Sequence, residues 1–554
     1  MDQVRIFALG GLDENGKNMF VVEVNEAIIL IEAGLKFPDS DQLGVEFVIP
    51  DFSYLIKNKD RVKGIFITHG HDDVIAALPY LLKQIKIPVY TGALTANILH
   101  DMLKKEGIRD VKIHKIKRTS RQNVGGVTVR TFPMTHAYPD NFGVAIESSQ
   151  GYIVYTGEFI IDYDVLEEEY MCDLNELSEI GKKGVLCLLN ESVSADKEGH
   201  TAPKHRITNL IEPIFEGAEH RIVISAYRQS LFRIIEIIDL ARKFNRKIFF
   251  YDKELRALLN QMEVLGYYKL PREIELTEKQ FDDAMDDVVV LISDSGKNLF
   301  RKIQNIAMHE DKNINFRSDD TIIIASPVVS GTELEAANME NEIYKEGGKL
   351  FSLKSKTVYS MHPSSEDLKM MLYLFKPKYY IPVKGEYRHL VVNANLATKM
   401  GYRPDKIVIL DNGQIAAFEN KVLKSVADHI ELEDTMIDGK ENWDVTGVVL
   451  KDRELLSTDG VMIVGVSIDA KTKKIIGGPD VQTRGLIYLK DADYIVKEVG
   501  NICENTIEAE VKDHVYENLA TRTNIRDKVT KYLMKETGKR PMVLPVIIEI
   551  NNKA

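Results

Sequence analysis

The segment Thr68-His69-Gly70-His71-Asp72-Asp73-Val74 follows directly on the apolar run Gly64-Ile65-Phe66-Ile67. Two histidines at i and i+2, with a carboxylate two residues further on, stand where a strand gives way to a loop. That spacing lets His69, His71 and Asp73 converge on one point above a sheet edge. Imidazole nitrogens and a carboxylate oxygen are ligands that zinc accepts, so the chemistry expected is metal-assisted hydrolysis. The next position is Val74, whose side chain has no donor atom. The segment therefore carries the start of a hydrolytic metal centre.

The elements around it must supply the missing ligands. Up to about residue 200, short β-rich runs dominate, at 4–9, 19–24, 27–32, 64–68, 127–134, 142–147 and 152–156, most of them punctuated by Gly, Asn or Asp. Helical spacing of apolar residues intervenes at 74–84 and 95–105. This pattern predicts two sheets with helices packed outside. After about 205 the rhythm becomes strand-helix-strand-helix, which predicts a parallel, helix-covered sheet and hence a separate α/β domain. Strands resume from 350 to about 419, so the chain is expected to return to the first domain. Residues 428–444 are acidic and poor in apolar periodicity, and read as a linker. The tail has strand patterns at 460–468, 486–489 and 542–550 and a long helical region at 494–535, which together predict a small α/β domain.

At 554 residues, the chain is expected to form three or four domains. A hydrophobic content of 44% with 28% charged residues fits a folded, soluble protein. No stretch has the roughly 18 apolar residues of a membrane span, and the N-terminus begins directly with a strand-like segment. Cys172, Cys187 and Cys503 are far apart and form no metal spacing, which fits a reducing cytoplasm. A net charge of −12 argues against general nucleic-acid affinity, while leaving room for a local basic channel.

Specific segments recur in a telling order: LGGLDENGKNM at 9–19, EAGLKFP at 32–38, THGHDDV at 68–74, MTHAYPD at 134–140, TGEF at 156–159, KGVLCLL at 183–189, IPVKGEYRHL at 381–390 and GGPDVQTRG at 477–485. In order and spacing these resemble the ribonuclease J family, two-metal RNases of the metallo-β-lactamase and β-CASP type, over nearly the whole chain. The resemblance implies an α/β protein. A metallo-β-lactamase αββα sandwich (1–204 and 350–426) would be interrupted by an α/β β-CASP insertion (205–349). A linker (427–454) and a small C-terminal α/β oligomerisation domain (455–554) would follow.

The resemblance also implies ligands. One metal would be held by His69, His71 and His136, with Glu158 at the position of a bridging aspartate. The second would need Asp73 and two imidazoles, at positions where this sequence has Val74 and Lys384. Glu32 likewise replaces a supporting aspartate. Zinc takes three or four ligands, so two lost imidazoles leave the second site with too few. A protonated lysine has no lone pair and repels a dication. Lys384 is therefore expected to replace the second metal's charge by pairing with Asp73 and Glu158. The cofactor expected is zinc or manganese, at most one per chain, or none.

For RNA, the resemblance places phosphate recognition at Ser360, His362 and Ser364, with Met361 adding bulk where a glycine is usual. Arg228 and Arg233 are candidates to track the backbone, as are Lys17, Lys297 and Arg388, though each could equally be a solvated surface charge. Phe232 stands where a histidine is expected and reads as core packing. Glu191 reads as a solvated carboxylate. Residues 294–299 retain little of the usual glycine-rich loop.

The departures at Val74, Glu158, Phe232, 294–299 and Lys384 cluster on chemistry, while the scaffold segments stay recognisable. The reading that follows is a catalytically weakened second paralogue with Asp73, Glu158 and His362 at its centre. It would bind RNA and an active ribonuclease J paralogue as a hetero-oligomer in the cytoplasm, and self-associate through its C-terminal domain. The alternative is a slow single-metal 5′→3′ exoribonuclease, with endonuclease activity, acting on 5′-monophosphorylated RNA. A small-molecule hydrolase is disfavoured, because the insertion would have no role in it.

Overall fold

In the computed structural model, the described residues are 2–39, 42–165, 167–329, 331–438, 443–444, 447–486 and 493–551. Contacts divide the chain into two compact units, Met1–Phe37 with Val48–Thr435, and Pro38–Phe47 with Met436–Ala554.

In the first unit, two sheets face each other. One runs in the order Val422–Ser425, Ala416–Glu419, Val4–Gly10, Met19–Val24, Ala27–Ile31, Val62–Ile67, Val89–Thr91, Ile113–Lys115. The other runs Tyr379–Val383, Val185–Glu191, Tyr152–Tyr155, Phe142–Ile146, Val127–Pro133, Ser120–Val124. Ile6, Val22, Ile29, Val144, Ile153 and Ile381 are buried together between them, as burial of one apolar face per sheet requires. The late strands at 379–383, 416–419 and 422–425 confirm that the chain returns to this sandwich.

The inserted segment forms a third sheet, ordered Glu275–Leu276, Lys247–Phe250, Val288–Asp294, Ile222–Tyr227, Thr321–Ile324, Lys349–Ser352, with all pairings parallel. Its four inner strands are buried on both faces by helices such as Leu231–Lys243 and Gly296–Ala307, which is why they read as unbroken apolar runs.

The second unit has a sheet ordered Ile475–Arg484, Val461–Asp469, Met542–Ile550, backed by helices whose Val499, Ile507, Ile525 and Val529 are buried against it. The long helical stretch is two helices, Asp493–Lys512 and Asn518–Thr537. The strand expected at 486–489 falls almost wholly outside the described residues. The acidic 427–454 segment holds the strand Thr435–Asp438, paired with Trp443–Asp444, and the start of the helix Gly447–Thr458. Backbone pairing does not depend on apolar periodicity, so composition hid it. No described helix is long and apolar enough to cross a membrane.

Candidate metal centre

The strand Val62–Ile67 delivers Thr68 and His69, both buried, to the end of the first sheet. The chain then turns into a four-residue helix, Asp72–Ile75, and a second helix begins at Leu78, so the expected single helix at 74–84 is broken. Backbone bonds clamp this turn: Ala33 N donates to Val74 O at 2.7 Å and Leu35 N to Asp72 O at 3.1 Å. Gly34 lies so close that a Cβ there would fall 1.6 Å from the Asp73 carbonyl oxygen. Only glycine allows that approach.

His69, His71, His136 and Glu158 present donor atoms within 4.8 Å of one another. Glu158 Oε2 lies 3.5 Å from His69 Nε2, 3.4 Å from His71 Nδ1 and 3.0 Å from His136 Nε2. His71 Nδ1 and His136 Nε2 are 3.5 Å apart. Four donors around a zinc-sized ion at about 2.0–2.2 Å form a tetrahedron with edges of roughly 3.3–3.6 Å. The measured edges are close to that.

The outer nitrogens settle which way the lone pairs point. His71 Nε2 donates to the Gln229 carbonyl at 3.2 Å, and His136 Nδ1 to the Met361 carbonyl at 3.0 Å. Thr68 Oγ1 lies 2.6 Å from Glu32 Oε1 and 2.9 Å from His69 Nδ1, and burial raises the Glu32 carboxyl to about 8, so this hydroxyl bridges the two groups without fixing the His69 tautomer. His71 and His136 therefore turn a lone pair inward, towards a carboxylate oxygen. The buried His69 Nε2 has no hydrogen-bond partner. Lone pairs crowded onto a carboxylate in this way need a cation between them or a shared proton. Burial drives His69 well below its usual range and His136 down to about 4, which keeps both neutral, as ligands must be. His71 is raised: burial opposes its charge, but the Glu158 and Asp73 carboxylates and the Gln229 carbonyl together outweigh it. The residues present fit one metal ion.

They do not fit a second. Val74 is fully buried in the core and offers no donor. Lys384 Nζ donates to Glu158 Oε1 and lies 3.3 Å from Asp73 Oδ2. Burial opposes its charge, but the Glu158 and Asp73 carboxylates more than offset that and raise its pKa. Glu158 is held well below the carboxylate range: burial opposes its charge, but the Lys384 ammonium and the His69 and His136 imidazoles together outweigh it. Lys384 sits at φ +58°, a left-handed conformation that is costly for lysine. Its N donates to Gly11 O and its O accepts from Ser192 N, so the backbone is fixed from both sides. Asp73 falls outside the four-donor cluster. Its carboxylate faces Lys384 and accepts from Asn18 Nδ2 at 2.9 Å.

Matches to known families agree with this geometry. The Beta-lactamase superfamily domain matches residues 29–174, the Ribonuclease J beta-CASP domain 219–343, the Zn-dependent metallo-hydrolase RNA specificity domain 353–409, and the Ribonuclease J C-terminal domain 448–550. A protein named Ribonuclease J 2, from Staphylococcus aureus strain NCTC 8325, is 33% identical over 549 residues, covering 99% of this chain and 98% of its own. The chain belongs to the ribonuclease J family. The same name and the same identity and coverage hold for a relative from Staphylococcus epidermidis RP62A. A solved structure described as a protein of unknown function from Enterococcus faecalis V583 shares the fold, at 15% identity and a TM-score of 0.50, over 75% of this chain and 100% of that one.

Within this ribonuclease J-family chain, the other site candidates scatter. His362 is held at the centre, its ring 6.0 Å from that of His136, and its Nδ1 is 2.8 Å from Glu191 Oε2. Glu191 is not solvated as expected. It is fully buried at the end of the strand Val185–Glu191, and its other oxygen accepts from Phe159 N. Ser360 is exposed. Ser364 is buried, caps the helix Ser365–Phe375 and bonds Thr201 at 2.8 Å, so its hydroxyl is already committed. Arg233 is not on the surface: its helix is apolar nearly all round, and its guanidinium donates to the Ala325 carbonyl. Arg228 is neutralised by Asp252, Glu254 and Asp294. Lys17 is buried against Glu14 and Asp434. Phe232 packs on Tyr170 and His205 in the core. Asn18, Thr68 and the Gln229 and Met361 carbonyls orient the centre, yet carry no signal as ligands in the sequence.

Proposed function

We propose that this chain is an RNA processing and decay protein of the ribonuclease J type with a degraded two-metal centre. Its intrinsic nuclease activity is weak or absent, and it acts in the cytoplasm as a subunit supporting an active ribonuclease J paralogue. The observation that carries this is the Lys384 ammonium on Glu158 and Asp73, beside the donorless Val74. A two-metal hydrolase clamps both the attacking and the leaving oxygen, and here one half of the clamp is an ammonium. The outer face of the edge strand Met542–Ile550 supports association, because Leu544, Val546, Ile548 and Ile550 are exposed along it.

The four-donor cluster favours a second reading, a slow single-metal 5′→3′ exoribonuclease on 5′-monophosphorylated RNA, with endonuclease activity. His69, His71, His136 and Glu158 would hold one zinc or manganese, which when bound supplies Lewis acidity at the scissile phosphate. The neighbouring groups orient rather than react: Glu191 fixes the His362 ring, leaving its Nε2 to hold a proton for the leaving oxygen.

Metal analysis and RNA digestion, on the chain alone and mixed with a catalytically competent paralogue, separate the two. The subunit reading expects no more than one metal per chain, little digestion alone and a stable co-complex. Two metals per chain, or vigorous solo digestion lost in His71→Ala, would defeat it.

A further inference from the structure

A basic cluster, outside the residues considered so far, is bonded to the loop that carries Met361 and His362. Lys197 Nζ and Lys204 Nζ each lie 4.7 Å from the centre of the Tyr359 ring, so the two ammonium groups are no more than twice that distance apart. Among the described residues, neither is in an ion pair, unlike Arg228. Two ammonium groups drawn onto one ring, with Asp196 acting on Lys197 but in no ion pair with it, form an anion site in waiting.

The backbone holds the cluster in place. Tyr359 N donates to Lys204 O at 2.9 Å, Ser365 N to Lys197 O at 2.9 Å, and Glu366 N to Gly199 O at 3.0 Å. Thr201 Oγ1 donates to His362 O at 2.6 Å. The 197–204 loop is thus laced to the 359–366 loop, whose Met361 carbonyl orients His136 and whose His362 flanks the centre. The exposed Ser360 hydroxyl lies next to Tyr359 in sequence. Lys197 is half-buried, and that burial lowers its pKa. A neighbouring phosphate would favour its charged form.

We infer that Lys197 and Lys204, positioned by Tyr359, form a phosphate-binding platform that takes the backbone of single-stranded RNA at the mouth of the metal centre. The inference rests on the RNA reading above and adds the residues that grip the strand. The ring is occupied by its two ammonium groups, so Tyr359 positions them rather than stacking a base. This differs from an aromatic stacking platform.

The test is fluorescence anisotropy of the full chain with a labelled, 5′-monophosphorylated single-stranded RNA oligonucleotide across a salt series. Lys197→Ala with Lys204→Ala should weaken binding about tenfold at low salt and flatten the log–log salt slope by roughly 0.7 per lysine. Lys204→Arg and Tyr359→Phe should keep most of the affinity, whereas Tyr359→Leu should lose part of it. Lys204→Gln, at an exposed position, provides a folded single-site check. If the wild-type chain binds and the double variant shows the same affinity and slope, the platform is wrong while RNA binding stands. If the wild-type chain binds no RNA, the RNA reading fails and takes the platform with it.

Discussion

Lys384 and Glu158 form a buried ion pair in which the ammonium takes Oε1, while Oε2 faces three imidazole nitrogens at 3.0–3.5 Å. One carboxylate thus bridges an organic cation and a metal-shaped cavity. Four outcomes follow from this and from the buried acid Asp140.

Lys384→Met leaves Glu158 and Asp73 buried without their counter-charge. Breaking a buried pair costs about 3–5 kcal/mol, so the urea midpoint should fall steeply. Added zinc or manganese should recover part of the loss by binding the freed carboxylates. An unchanged midpoint would show that the pair contributes nothing.

Val74→His combined with Lys384→His restores the two imidazoles. Metal content should rise towards two per chain and RNA digestion should rise with it, despite an overpacking cost of about 1–3 kcal/mol at the buried Val74 position. Metal without activity would place the remaining defect in the RNA-handling loops, including 294–299.

Thr68→Val removes the hydroxyl that links Glu32 to His69 Nδ1. The fold should survive, because valine is close in shape. Metal affinity should drop about 10–100-fold, as for other lost outer partners of a ligating histidine. Competition with a chelator measures it.

Asp140 is buried, accepts from Leu94 N at 3.0 Å and Tyr267 OH at 2.9 Å, and has its Oδ1 without a partner. Burial raises its pKa from 3.8 to about 6. Between those values the folded state binds more protons than the unfolded one, so stability falls as pH rises through that window and levels off above it. The size is on the order of 2–3 kcal/mol. In Asp140→Asn this component of the slope should vanish, as read from urea midpoints between pH 4 and pH 7. Parallel wild-type and variant curves would refute it.

Much of the architecture was readable along the chain. The apolar runs with β punctuation gave the sandwich, and the strand-helix alternation gave the parallel inserted sheet, because burial of one face or two leaves different periodicities. Helix breaks were harder. The turn at Ala76 and Ala77 between Asp72–Ile75 and Leu78–Gln84 lies inside a continuous helical pattern, and its cause is the clamp from Ala33 and Leu35. Arg233 looked like a surface cation because of its type, but its neighbours Phe232, Ile234 and Ile235 are buried with it. Glu191 looked solvated for the same reason.

Donor chemistry is a property of residue types, so the histidines, the donorless Val74 and the ammonium at Lys384 could all be read before any fold was known. Set against the family pattern, they gave the expectation of at most one metal per chain. The direction of the His71 and His136 lone pairs could not be read, because it is imposed by the carbonyls of Gln229 and Met361. Every residue has a backbone carbonyl, and only folding brings these two, from distant parts of the chain, against the rings that need them.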